Sequence, residues 1–111
     1  MLYLLFIQRN KFLNNSPLLY GMQRVYIIVY GYVQGVFFRH NTKKMALSLG
    51  LKGYVRNMAD GSVEVVAEGP EDKIKELVES CKKGPEAAKV SKVDVKFGKA
   101  RNDFGGFEIR Y

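Results

Sequence analysis

Gly31-Tyr32-Val33-Gln34-Gly35-Val36-Phe37-Phe38-Arg39 leaves an apolar run, turns on two glycines and enters a segment that carries an arginine. Upstream, Val25-Tyr26-Ile27-Ile28-Val29-Tyr30 is β-branched and aromatic throughout, which predicts a strand. Downstream, Phe38, Met45, Ala46 and Leu49 recur at helical spacing. A strand, a tight turn and a helix start therefore follow one another. The first N–H groups of a helix lack intrahelical partners and carry the positive end of the dipole, so such a turn can cradle an anion. Gly35 removes the Cβ that would hold an anion away. The main-chain N–H groups of Gln34, Gly35, Val36, Phe37, Phe38 and Arg39 can then converge on a phosphate-sized oxyanion. Arg39 supplies the counter-charge, in a planar fork suited to bidentate contact with a phosphoryl group. A plain strand-to-helix turn with a solvated arginine has the same spacing. Neither a P-loop nor a dinucleotide fingerprint is present: no Lys-Ser or Lys-Thr follows Gly35, and no G-x-G-x-x-G occurs.

Working outward, the first strand is expected over residues 23–30 and the first helix over residues 38–49, with Gly50 as its C-terminal stop. Lys52–Asn57 reads as a second strand and Met58-Ala59-Asp60-Gly61 as a hairpin connection. A third strand follows over residues 62–68, alternating on Val63, Val65 and Ala67. Gly69-Pro70-Glu71-Asp72 opens a second helix with a proline and two acids at the positive dipole end. Ile74, Leu77, Val78 and Cys81 form its apolar stripe, and Lys82-Lys83-Gly84-Pro85 closes it. Val93, Val95 and Phe97 alternate as a fourth strand, and residues 107–111 make a short fifth. The order βαββαβ plus a short C-terminal strand contains two split βαβ units. Both helices then fall on one face of a mainly antiparallel sheet, giving a ferredoxin-like α+β sandwich. That fold serves many functions and names none.

With 111 residues the chain suits one two-layer domain. No apolar run approaches the roughly 20 residues that cross a bilayer, so no membrane partner is expected. A single cysteine, Cys81, excludes an internal disulfide and a multi-cysteine zinc site, which makes a reducing cytoplasm the default location. The net charge of +7 is spread along the chain and reads as a general positive field for anionic substrates. Residues 1–21 differ: an apolar start at Leu2-Tyr3-Leu4-Leu5-Phe6-Ile7 is broken by Asn10, Asn14, Asn15, Ser16 and Pro17. They are expected to be a disordered extension or to lie upstream of a true start at Met22, leaving residues 22–111 as the domain.

Asn57 is the second chemical element. At the end of a strand an asparagine is commonly a turn former. Its amide, acceptor and donor at once, can also orient a water for attack on phosphorus.

The Gly31–Arg39 stretch, followed by Gly53-Tyr54-Val55-Arg56-Asn57 and Asp60-Gly61-Ser62-Val63-Glu64, closely resembles the paired signatures of the acylphosphatase family. The likeness runs from about Val25 to Tyr111 and includes the aromatic C-terminal block Phe107-Glu108-Ile109-Arg110-Tyr111. Three departures stand out. Tyr54 occupies a position where tryptophan is common, Met58 one where a small polar residue is frequent, and residues 1–21 have no counterpart in compact members. The resemblance implies hydrolysis of carboxylic–phosphoric mixed anhydrides to a carboxylate and inorganic phosphate. It implies that Arg39 binds the phosphate with the loop amides and that Asn57 positions the water. An acyl phosphate has a good leaving group, so positioning and charge stabilisation can suffice without cofactor or metal.

The remaining candidates read more simply. His40 follows Arg39 as a surface or packing residue, Cys81 belongs to the core, and Glu64, Glu68, Glu71 and Asp72 are expected to be solvated or helix-capping. The expected partners are an acyl phosphate and inorganic phosphate, with the protein a monomer. The alternative is a nucleic-acid-binding module on the same scaffold, suggested by the basic charge and by Tyr26, Tyr30 and Tyr54 on strands. Lys52-Gly53-Tyr54 starts like an RNP1 motif but fails at Val55.

Overall fold

The computed structural model describes residues 21–111. The expectation for residues 1–21 therefore lies, apart from Gly21, outside the described residues. The elements follow in the expected order: β1 (Met22–Tyr32), α1 (Phe38–Ser48), β2 (Lys52–Asn57), β3 (Val63–Pro70), α2 (Glu71–Lys83), β4 (Lys89–Lys99) and β5 (Phe107–Arg110). The strands form one sheet in the order β4-β1-β3-β2-β5. Every pairing is antiparallel except β2 with β5, which is parallel.

Alternation decides which face the helices cover. Val25, Ile27 and Val29 of β1, Val63, Val65 and Ala67 of β3, and Val55 of β2 are fully buried on one side. Against them pack Phe38 and Ala46 of α1 and Ile74, Leu77, Val78 and Cys81 of α2, in one continuous core. Each buried Val, Leu or Ile contributes about 1.5–3 kcal/mol of transfer free energy, so this single cluster is the main source of stability. Val66 points to the other face yet is 2% exposed, because the register sets it between Tyr26 and Tyr54 of the flanking strands.

Three differences from the sequence reading have physical causes. β1 does not turn at Gly31: it runs on to Tyr32 past a bulge between Tyr30 and Gly31. Gly31 is required there because a Cβ would lie 2.1 Å from the Lys89 carbonyl oxygen of β4. Phe97 is half exposed, since β4 is an edge strand with a neighbour on one side only. Glu68, read as solvated or capping, is 5% exposed and paired with an equally buried arginine. Arg24 and Glu68 are register partners on β1 and β3, on the face away from the helices. Arg24 donates from Nε to Glu68 at 2.5 Å and from its terminal nitrogen to Asp103 at 2.6 Å. Glu68 also accepts the backbone N–H groups of Arg101 and Asn102, at 2.8 and 2.9 Å. The carboxylate thus ties down the chain that crosses from β4 to β5.

Candidate active site

The β1–α1 loop is pinned from within. Val33, Val36 and Phe38 send their side chains into the core, while Gly35 and Phe37 remain on the surface. Gly35 has φ +75° and open space around its missing Cβ. Phe37, the residue before α1, adopts φ 65° and ψ 21°, a left-handed conformation uncommon for a bulky side chain, and is 79% exposed. Neither burial nor local propensity accounts for that choice.

The N-terminus of α1 has no side-chain cap and no acid in its first turn. The first intrahelical bond, from the Asn41 N–H to the Phe37 carbonyl at 3.0 Å, leaves the preceding amides without helical partners. Arg39 sits in this turn, and its guanidinium lies 4.9 Å from the ring centroid of Tyr111.

Asn57 arrives from the opposite side. Val29 of β1 pairs with Val63 of β3, and Val63 with Asn57 of β2, so the asparagine stands level with Val29, three residues before the end of β1 and one strand removed. It shares the helix-facing side with Val55. Its Oδ1 is buried and has no hydrogen-bond partner among the described residues. An unpaired buried acceptor costs about 1–3 kcal/mol.

Gly35, Phe37, Phe38, Arg39 and Asn57 line one cleft of about 370 Å³. Two of the residues singled out with them do not. Val36 is in the core, and the Gln34 side chain crosses instead to the β2–β3 turn, donating to the carbonyls of Met58 and Ser62 at 2.8 and 2.9 Å. Val33, His40, Ile109 and Tyr111 complete the lining. Ile109 and Tyr111 are there because β5 runs parallel to β2, with Ile109 beside Val55 and Arg110 beside Arg56. A short apolar C-terminal strand was legible; its parallel docking beside Asn57 was not.

Cys81 stays in the core, where burial pushes its thiol up to about 12, a tendency moderated by a bond with Thr42. Among the described residues no three His, Cys, Asp or Glu side chains converge. No helix among them is long and apolar enough to cross a membrane.

The arrangement can bind a small oxyanion between amides and a guanidinium and present it to a carboxamide. The sequence and the fold are similar to those of known proteins. A model of the acylphosphatase family matches residues 25–109. The acylphosphatase of Caldivirga maquilingensis is 52% identical over 89 residues, covering 79% of this chain and 94% of that one. The acylphosphatase of Aeropyrum pernix is 48% identical over 92 residues, covering 82% and 91%. The crystal structure of acylphosphatase from Bacillus subtilis superposes with a TM-score of 0.77 at 38% identity, over 80% of this chain and 99% of that one. The chain belongs to the acylphosphatase family, enzymes that hydrolyse acyl phosphates.

Proposed function

We propose that hydrolysis proceeds with the phosphoryl group held by the β1–α1 loop amides and Arg39, and with the attacking water oriented by Asn57. The observation that carries this reading is that Asn57 and Arg39 line the same cleft, at an acid-free helix N-terminus. A water that bonds to the Asn57 carboxamide turns a lone pair toward a phosphorus held at the loop. The water oxygen then bonds to phosphorus, the P–O bond to the acyl group breaks, and the bonding pair leaves on a carboxylate. The water's proton passes to the phosphate product or to solvent. The guanidinium and aligned amides stabilise the equatorial oxygens, where charge resides in the transition state.

A nucleic-acid role finds less support on the open face of the sheet. The Tyr54 ring has the Arg110 guanidinium 3.9 Å from its centroid and the edge of Phe104 at 6.0 Å, and the Tyr26 ring has Arg24 at 5.9 Å. These rings are engaged by their own chain, where base stacking needs free faces.

The cleft lies within residues 22–111, which we take as the catalytic domain, with residues 1–21 as an extension to it. We take the protein to act as a monomer on a diffusible acyl phosphate. The one free, buried cysteine suits a reducing cytoplasm. The test is steady-state hydrolysis of benzoyl phosphate without added metal, with inorganic phosphate as inhibitor. Rapid turnover with competitive inhibition by phosphate is expected. A folded protein that binds phosphate without turnover would reduce the cleft to a binding site.

A further inference from the structure

Gln34 lies in the middle of the loop, between the buried Val33 and the exposed Gly35, yet its side chain is not part of the cleft wall. Its Nε2 donates both of its protons across the gap to the β2–β3 turn, at 2.8 Å to Met58 O and 2.9 Å to Ser62 O. Those carbonyls belong to a turn that is itself closed: the Met58 N–H donates to Ser62 O at 2.8 Å, and the Ser62 N–H and hydroxyl both donate to Asp60 Oδ1. Those bonds hold the Asp60 carboxyl below its ordinary range and keep it an acceptor. Asn57 is the residue immediately before Met58. The carboxamide of Gln34 is thus the one side-chain strut in the structure between the amide loop and the turn that carries Asn57, among the hydrogen bonds of the described residues. Met58 offers no polar side-chain atom of its own, and its carbonyl makes the connection instead.

We infer that Gln34 is a positioning residue whose side chain sets the separation between the phosphate cradle and the Asn57 carboxamide. The inference rests on the roles proposed above for those two parts. Attack on phosphorus requires the water oxygen at near-bonding distance and in line with the leaving group, and small misplacements are costly. The backbone of the loop holds the phosphate whether or not the strut is present. Loss of the strut therefore lowers the rate of the chemical step and leaves phosphate affinity in place.

The experiment measures kcat for benzoyl phosphate and the inhibition constant of inorganic phosphate in wild type, Gln34→Met, Asn57→Ala and the double variant. Methionine keeps the length and removes both donors. Gln34→Met is expected to lower kcat about tenfold or more, with the phosphate inhibition constant changed less than about twofold. In the Asn57→Ala background the same substitution is expected to change kcat less than about twofold, because nothing is left to position. Gln34→Glu, with a carboxylate facing two carbonyls, is expected to lose at least as much kcat as Gln34→Met. An equal loss in both backgrounds, or a rise in the inhibition constant matching the loss of kcat, would overturn the inference. So would wild-type kcat in Gln34→Met, or the absence of a cooperative melting transition in both Gln34 variants, which would make the residue structural. Wild-type kcat in Asn57→Ala overturns instead the role assigned to Asn57, so the two failures are distinct.

Discussion

The two helices pack on the same face of the same sheet and begin with opposite chemistry. α2 opens with Pro70, Glu71 and Asp72 and ends with Lys82 and Lys83, so charge complements its dipole at both ends. α1 has no acid in its first turn and no base in its last, and carries Arg39 and His40 at the end where cations are disfavoured. α2 is arranged for stability. α1 forgoes a similar gain, which under the proposed mechanism leaves its donors and its positive field for the phosphoryl group. A first turn that contradicts the dipole rule while the other helix obeys it is what the proposed phosphate site at α1 would require.

The largest expected effect tests the cation. Arg39→Ala removes the charge proposed to face the developing negative oxygens, and kcat/KM is expected to fall about 10²–10³-fold, the usual cost of one such donor. The inhibition constant of phosphate should rise with it, which distinguishes Arg39 from Gln34 and Asn57. Unchanged phosphate inhibition would make Arg39 a surface arginine like any other.

Next in size is the strained entry to α1. Phe37→Gly relieves a left-handed conformation that costs an L-residue about 1–2 kcal/mol and removes a side chain that is already mostly in water. Glycine's extra unfolded-state freedom offsets part of this, so a gain of about 0.5–1 kcal/mol in unfolding free energy is expected from denaturant melts. A loss would mean that the Phe37 ring packs on something the cleft needs.

Reversing each helix start sharpens the comparison further. His40→Glu puts an acid in the first turn of α1. It is expected to raise stability by about 0.3–1 kcal/mol while weakening phosphate inhibition several-fold. Glu71→Lys at α2 is expected to lower stability by a similar 0.3–1 kcal/mol with turnover unchanged. Stability and activity moving together in either variant would contradict the division of labour between the two termini.

The smallest effect is a null. Cys81, with its thiol pushed up to about 12 by burial, is expected to resist alkylation in the native state and to react once the chain is unfolded. Because the folded value lies above that of the unfolded thiol, the associated stability is present at neutral pH. It is lost as pH rises from about 9 toward 12, an alkaline sag visible in melts.

Much of the fold was legible because its signals are local. Alternation in β1 and β3, the i, i+3, i+4, i+7 stripe of α2, and Asp60-Gly61 between two strands each occupy a few consecutive residues. The order of the elements and the placing of both helices on one face follow from them. What escaped is what the register joins. Arg24 and Glu68 stand 44 residues apart, and nothing in either neighbourhood shows that a basic and an acidic side chain are facing partners on central strands. The 24-residue reach of Gln34 to Met58 is of the same kind. In the cleft, Arg39 and Asn57 were nameable from motif and resemblance, and the structure brings both to one place. The orphaned oxygen of Asn57 and the left-handed Phe37 were not, since the first depends on three-dimensional surroundings and the second contradicts the intrinsic preference of its residue type.

The most direct test of the central claim is Asn57→Ala, assayed for kcat on benzoyl phosphate and for inhibition by inorganic phosphate in the same preparation. A fall in kcat of about 10²-fold or more, with phosphate inhibition kept within about twofold of wild type, is expected if one end of the cleft holds the phosphate and the other aims the water. Wild-type turnover, or turnover and phosphate affinity lost in equal measure, would contradict it.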